Sequence, residues 1–314
     1  MLHGKWTPIQ IGAYATALRA RGETEDALFA GARALRAAMT AVDHGLDAVF
    51  DTAGTGGDGA HTLNLSTAAA ILLAAAGVRV AKHGNRSVSS RCGSADVVEA
   101  LGIPLDLSVD AHARLLRTVG ITFLMAPAHH GALRHASQAR KELGVRTIFN
   151  ALGPLANPAR ATHQLVGVYD DALRPIAARA LGRLGVKRAW VVRSEDGLDE
   201  VSPAASTRVS VLDEDGSVRE MRVSPESFGL VPTALDTIRG GGADESATEL
   251  RALLGGGGHR AEAALLINAA SAYCVARGAS EREAAEAMRS VLSTGKALAR
   301  LDEWRAAAQR ERTP

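Results

Sequence analysis

Cysteine, aromatic residues and net charge are all scarce in this sequence, and each scarcity removes a class of function. Cys92 and Cys274 are the only cysteines and form no CxxC pair. That excludes a disulfide framework and a cysteine zinc site, and it fits a reducing compartment, so a cytoplasmic location is expected. Aromatics make up 4% of the chain, while alanine and glycine are abundant, which suits close packing of helices on a sheet. The formal net charge is +2 over 314 residues, too little for a protein held on nucleic acid by bulk electrostatics. The longest apolar run, AAAILLAAAGV, is too short to span a bilayer. The segment MLHGKWTPIQ has no apolar stretch of the kind a signal peptide needs. Neither a membrane nor a nucleic-acid partner is expected, and small molecules remain.

What is present is alternation. Residues 7–44 read as helices. Thr7 caps the first with Pro8 behind it, Gly22-Glu23 breaks the pattern, and Thr24 caps a second helix through Met39. After residue 45 the period changes. DAVFDTAG reads as a strand entering a glycine turn, STAAAILLAAAG as a buried helix stopped by Gly77, VRVA as a strand, and DVVEALG as a helix capped by Ser94. ITFLM is a further strand, GALRHASQARKEL an amphipathic helix ended by Gly144, LRPIAARALGRLG a helix and KRAWVV a strand. TRVSVL and VREMRV flank Asp215-Gly216 as a hairpin. Two or three helices close the chain, including AEAALLINAASAYCVA and EREAAEAMRSVLSTGKAL, with the glycines at 255–258 connecting helices. The expected fold is α/β, a mostly parallel central sheet flanked by helices, with a small all-helical domain. Residues 1–45, completed by helices around 128–145, would form the helical part, and residues 46–314 the α/β domain.

The stretch AGTGGDGAHTLNLST, residues 53–67, carries the chemistry. Gly54, Gly56 and Gly59 match the dinucleotide fingerprint between a strand and a helix. A dinucleotide site also wants an acid about 20 residues on, where this sequence has Lys82. No Gly-Lys-Ser/Thr follows, so the loop is not a Walker A motif. Bare glycine backbone at a helix N-terminus still presents N–H groups and a positive dipole end to an anion. Asn64, Ser66 and Thr67 add further polar groups. A second loop, KHGNRSVSSRCGSAD, follows the next strand. It holds Lys82, Asn85, Arg86, Arg91 and the hydroxyls of Ser87, Ser89, Ser90 and Ser94. Two such loops side by side at strand C-termini make a cradle for more than one phosphate. A third segment on the same rim, EDGLDEVS, sets Asp199 and Glu200 in one turn. Two carboxylates with substrate phosphate oxygens and water suit Mg2+, and Ser66 can add an oxygen.

In this order and spacing GTGGD, NLST, KHGNRSVSS, GSAD, RTIFNALGPLANP and GLDEVS resemble the anthranilate phosphoribosyltransferases, over essentially the whole chain. The resemblance implies transfer of a phosphoribosyl group from phosphoribosyl pyrophosphate to the amine of anthranilate, in tryptophan biosynthesis, with Mg2+. It also implies a homodimer formed through the helical part. Gly54, Thr55, Gly56, Gly57, Asp58, Thr62, Asn64, Ser66, Thr67, Lys82, Asn85 and Ser94 fall on the positions that bind the phosphoribosyl donor. Asp199, Glu200 and Ser66 fall on the metal-binding positions. Gly54, His83, Asn85, His130, Arg140, Gly153 and Pro154 match the lining of the anthranilate path, and the planar guanidinium of Arg140 suits the carboxylate. His135 reads as a surface histidine, and Arg146 either as a site residue or as the basic end of a helix. Two departures stand out. Many relatives carry Tyr-His where this chain has His129-His130, and relatives carry a further helix ahead of the MLHGKW segment.

The aromatic amine is neutral at pH 7 and needs positioning more than deprotonation, so no general base is expected, with His83 or His130 as acceptor of the late proton. Competing readings are a pyrimidine-nucleoside phosphorylase-like enzyme, against which the acidic pair and RTIFNALGPL speak, and a non-catalytic relative that binds nucleic acid.

Overall fold

The structure is a computed structural model describing residues 1–56, 62–87 and 91–312. It opens with α1 (Pro8–Arg21) and α2 (Glu25–Ala38). Thr7 and Thr24 accept hydrogen bonds from Gln10 N and Ala27 N, each satisfying an N–H that the helix leaves unpaired. The helical stretch ends at Ala38 and does not reach residue 44. Irregular chain follows, tied down by Thr40 N to His129 O and by Val42 N to Pro158 O.

The remaining elements alternate. They are β1 (Phe50–Gly54), α3 (Leu65–Ala75), β2 (Val80–Gly84), α4 (Ser94–Ala100), α5 (Val109–Thr118), β3 (Ile121–Met125), the single turn α6 (Ala126–His129), α7 (Arg134–Leu143), α8 (Ile148–Leu152), β4 (His163–Gly167), α9 (Leu173–Arg183) and β5 (Arg188–Ser194). The hairpin β6 (Thr207–Leu212) and β7 (Val218–Val223) follows, then α10 (Ala243–Leu254), α11 (Glu262–Arg277), α12 (Glu281–Ser293) and α13 (Lys296–Arg312). The sheet order is β3-β2-β1-β4-β5-β6-β7. The first five strands are parallel, and β6 and β7 each run antiparallel to the strand before them. From β1 the chain builds outward to β2 and β3, then returns to lay β4 on the other side of β1. That reversal opens a crevice at the strand C-termini, where ligands of such sheets bind.

Residues alternate between two cores because side chains along a strand point to opposite faces. Phe50, Val80, Leu165 and Trp190 pack with α3, α11, α12 and α13. Val166, Val191 and Leu212 pack with α2, α8 and α9 on the other face. α3 is apolar on nearly every side because it lies inside the first core, with Ala68 through Ala74 all buried.

Several expectations shift. HQLVG is a central strand that the apolar pattern did not signal, since two of its five residues are polar; Gln164 is fully buried and its amide donates to Pro154 O at 2.8 Å. α5 likewise goes beyond the expected elements. EREAAEAMRSVLSTGKAL is two helices, because Gly295 takes a left-handed φ of 72° between them. The second strand runs to Gly84, so Lys82 lies within it and does not follow it. Gly93, not Ser94, occupies the cap position of α4, and the carboxylate of Asp96 accepts from Gly93 N at 2.8 Å.

Candidate active site

The site is built where β1, β2 and the turn after β5 converge on the start of α3. Lys82 and His83 are neighbours in sequence, yet the pleat sends them to opposite faces of the sheet. On the α3 face Lys82 is 2% exposed. Its Nζ donates to Thr52 O at 2.6 Å and reaches Thr52 Oγ1 and Ser66 Oγ at 3.3 and 3.2 Å. Burial lowers its pKa to about 8, opposed by the charges of Asp51, Glu200 and Asp199.

The acidic turn is bonded directly to the glycine loop and to the helix start. Asp199 Oδ2 accepts from Gly56 N at 2.8 Å, and Glu200 Oε1 accepts from Ser66 N at 3.2 Å. Two glycines make room for this approach. A Cβ on Gly167 would lie 1.5 Å from Asp199 O, and one on Gly54 would lie 2.9 Å from Asp199 Oδ2. Behind the turn, Asn268 accepts from Val201 N and donates to Val201 O, and the Asp196 carboxylate accepts from the hydroxyls of Ser194 and Ser202. Thr55 continues the rim: its N donates to Gly167 O at 2.9 Å, and its Oγ1 accepts from Tyr169 N at 2.9 Å.

Asn64 holds the cap position of α3 without a side-chain cap bond; its Nδ2 donates to Cys92 O at 3.4 Å. Asn64 Oδ1 and Thr67 Oγ1 are buried without a hydrogen-bond partner among the described residues, polar atoms a ligand would satisfy. Thr62 forms an isolated bridge with Arg239. In the second loop, Asn85 is exposed and Ser94 Oγ donates to Asn85 O at 3.3 Å. Gly84 permits this fold-back, because a Cβ there would fall 2.2 Å from Ser94 Oγ. Arg86 is committed to Asp96 and Glu99 at 3.0 and 2.7 Å and so braces α4. Gly57, Asp58, Gly59, Ser89 and Ser90 lie outside the described residues.

On the other face of the sheet His83 is buried. Its Nδ1 lies 3.2 Å from Gly153 O, and its ring meets His130 edge-on with centroids 5.1 Å apart. A carbonyl only accepts, so Nδ1 carries the proton and Nε2 keeps its lone pair. Burial lowers the pKa of His83 to about 3 and that of His130 to about 4, leaving both neutral near pH 7. Pro154 follows Gly153 in a 3-10 turn after α8. Arg140, on α7, stacks 5.7 Å from the Phe149 ring of α8, and burial lowers its pKa.

His135 is not on the open surface; it is half-buried, and its ring covers Gly4. Arg146 lies beyond the end of α7, 4.9 Å over the ring of Tyr169, and its carbonyl accepts from the guanidinium of Arg19. These residues line a separate cleft of about 580 Å³. Sequence reasoning missed Asp51, Thr52, Asn157, Gln164, Gly167 and Asn268. Asp51 left a signal, a charged residue inside an apolar strand; Gly167 and Asn268 left none.

The description "Glycosyl transferase family, a/b domain" matches residues 46–298, and "Glycosyl transferase family, helical bundle domain" matches residues 1–39. A relative from Myxococcus xanthus named anthranilate phosphoribosyltransferase is 52% identical over 275 residues, covering 88% of this chain and 81% of its own. The crystal structure of anthranilate phosphoribosyltransferase from Thermus thermophilus superposes with a TM-score of 0.92 at 38% identity, covering 98% of this chain and 92% of that one. The Saccharomyces cerevisiae enzyme in complex with PRPP and Mg gives a TM-score of 0.88 at 29% identity, covering 96% and 86%.

The Asp199 contact yields a direct test. Gly167→Ala forces a methyl group into the Asp199 carbonyl, and an overpacking cost of about 1–3 kcal/mol is expected in urea unfolding. A variant as stable as the parent would show that the turn does not lie against β4.

Proposed function

The chain belongs to the anthranilate phosphoribosyltransferases, and on that premise we propose how its own residues share the reaction. The enzyme transfers the phosphoribosyl group of 5-phosphoribosyl 1-pyrophosphate to the amine of anthranilate, giving N-(5-phosphoribosyl)anthranilate and pyrophosphate, in tryptophan biosynthesis. The observation that carries the assignment of roles is the joint between the acidic turn, the glycine loop and the first N–H groups of α3.

Donor binding falls to the rim of β1 and β2. Gly54, Thr55, Gly56, Gly57 and Asp58 form the loop around the sugar phosphate and pyrophosphate. Thr62, Asn64, Ser66 and Thr67 surround the helix start, where the dipole favours an anion. Lys82, Asn85 and Ser94 complete the cradle. The unpartnered Asn64 Oδ1 and Thr67 Oγ1 support this reading, since bound donor would satisfy them.

Asp199, Glu200 and Ser66 offer only oxygen ligands, the donor set Mg2+ prefers. No group of three or more His, Cys, Asp or Glu placed to hold a metal occurs among the described residues, so phosphate oxygens and water would complete the coordination. When bound, the ion would offset the negative charge that builds on pyrophosphate as it leaves. Lys82 Nζ, already held by Thr52 and Ser66, acts on the same charge.

Anthranilate enters from the other face, along Gly54, His83, Asn85, His130, Gly153 and Pro154, with its carboxylate on Arg140. The amine attacks with its own lone pair, so orientation supplies the catalysis and no general base is assigned. His83 Nε2 keeps a lone pair that can accept the late proton.

The helical residues 1–45, with the helices around 128–145, are the proposed dimer contact. Ile9 is 84% exposed, and Trp6 and Tyr14 beside it form an exposed edge-on pair at 5.5 Å, an apolar face suited to a second copy. No helix among the described residues is long and apolar enough to cross a membrane.

Loss of anthranilate fluorescence that requires both the phosphoribosyl donor and Mg2+ tests the reaction. In that assay Asp199→Asn and Glu200→Gln should lower kcat by about 100-fold or more, as for loss of a group that meets developing charge; parent-like turnover at saturating Mg2+ would remove the pair from the mechanism. Arg140→Ala should raise KM for anthranilate at least about tenfold, the cost of a charged hydrogen bond, while leaving KM for the donor near its parent value. An unchanged anthranilate KM would exclude the carboxylate contact. Ile9→Glu should convert the dimer to monomer in sedimentation velocity, and an undisturbed dimer would move the interface elsewhere.

A further inference from the structure

Beneath the site one rung of the sheet is replaced by side chains. Among the described residues β1 and β2 are registered at Phe50↔Val80 alone, whereas β1–β4 and β2–β3 each pair over five residues. In a continued parallel ladder the next rung would join Thr52 to Lys82 through Thr52 N, Ala81 O, His83 N and Thr52 O, and side chains engage the last three. His83 N donates to Asp51 Oδ1 at 3.0 Å, Asn157 Nδ2 donates to Ala81 O at 2.8 Å, and Lys82 Nζ donates to Thr52 O at 2.6 Å. Asn157 Nδ2 also donates to Asp51 Oδ2 at 2.8 Å, closing the set.

Asp51 is the hub. It is fully buried, a costly place for a carboxylate unless it is compensated. Its neighbours lie on both flanking strands and on the segment after α8. From β2 come Lys82, on the opposite face but close enough for its charge to act on Asp51, and His83, a titratable ring held neutral. From β4 comes Gln164, its register partner, whose amide reaches Pro154 O. Asn157 follows α8. Thus one carboxylate bonds the strand that carries His83, lies beside a residue that grips Pro154, and feels the charge of Lys82 through the sheet.

We propose that Asp51 is a positioning residue for phosphoribosyl transfer: by replacing the missing rung it fixes the acceptor wall at His83 and Pro154 on one face of the sheet while serving as the buried counter-charge of Lys82 on the other. This rests on the reading of those walls given above. Neither substrate touches Asp51; it acts through His83, Gln164 and Lys82. A purely structural role would predict a loss of stability with unchanged substrate constants. The positioning role predicts that both KM values move together, although the two substrates lie on opposite faces.

Burial raises the pKa of Asp51 to about 6, against the lowering pull of Lys82, Asn157, His83 N and Gln164. The carboxylate is charged above that pH and neutral below it, so kcat/KM should fall as pH drops through about 6.

The test is steady-state kinetics with both substrates varied between about pH 5 and about pH 9, on the parent, Asp51→Asn and Asn157→Ala. Asp51→Asn keeps an acceptor for His83 N but removes the charge. It should raise KM for anthranilate and for the donor about tenfold each, the scale of a charge-assisted bond, and flatten the acid limb. Asn157→Ala removes a bond that lowers the Asp51 pKa, so its limb should move to higher pH. An Asp51→Asn enzyme with parent KM values and the parent limb overturns the proposal. If Asp51→Asn does not fold, Asn157→Ala decides alone, and an unmoved limb overturns it. A parent enzyme that makes no product would instead defeat the functional reading, so the two failures are distinct.

Discussion

A buried lysine must find its compensation inside the protein, and the arrangement around Lys82 follows from that demand. Its ammonium has no access to bulk water, so it draws on a strand carbonyl, a helix-start hydroxyl and three carboxylates held within reach. Those groups come from β1, α3 and the turn after β5, segments far apart in sequence. Satisfying one charge therefore sets where three loops end. On the proposed reading, a polyanionic donor would meet the field of a cation already desolvated and fixed, so little reorganisation would oppose binding.

The alternation of strand side chains gives the site its two-sidedness. Thr52 and Lys82 face α3, and Asp51, His83 and Gln164 face the opposite side, where α8 and its following turn lie. A phosphorylated sugar and an aromatic acid make different demands, one for N–H groups and cations, the other for apolar walls and a single guanidinium. The sheet separates these environments by the thickness of one backbone while keeping their reactive ends adjacent at the strand termini. Gly54 is the last residue of β1, at the rim where the two faces meet.

Much of this was legible because the loops consist of residues that have few other uses. Glycines at 54, 56 and 59, hydroxyls at a helix start and paired acids in a turn each announce an anion or a cation site, and the family resemblance rests on the same letters. What escaped had physical reasons. β4 is short and half polar, because Gln164 is buried for its hydrogen bonds and not for its apolar surface. Lys82 reads as a loop residue because lysine seldom sits inside a strand; here Thr52 and Ser66 compensate its buried ammonium. Arg86 looks like a phosphate ligand, but Asp96 and Glu99 engage it first. Gly167 is invisible from sequence, since its role is to leave space for a carbonyl from residue 199.

The contacts among Arg19, Arg146, Tyr169 and Thr55 have a mechanical meaning. They run without a break from the last turn of the first helix, through a stacked guanidinium and a main-chain N–H, to the second residue of GTGGD. A rigid lever of this kind cannot tilt at one end without load at the other. Any displacement of the last turn of α1 is thereby felt at Thr55, through one guanidinium stack and two hydrogen bonds.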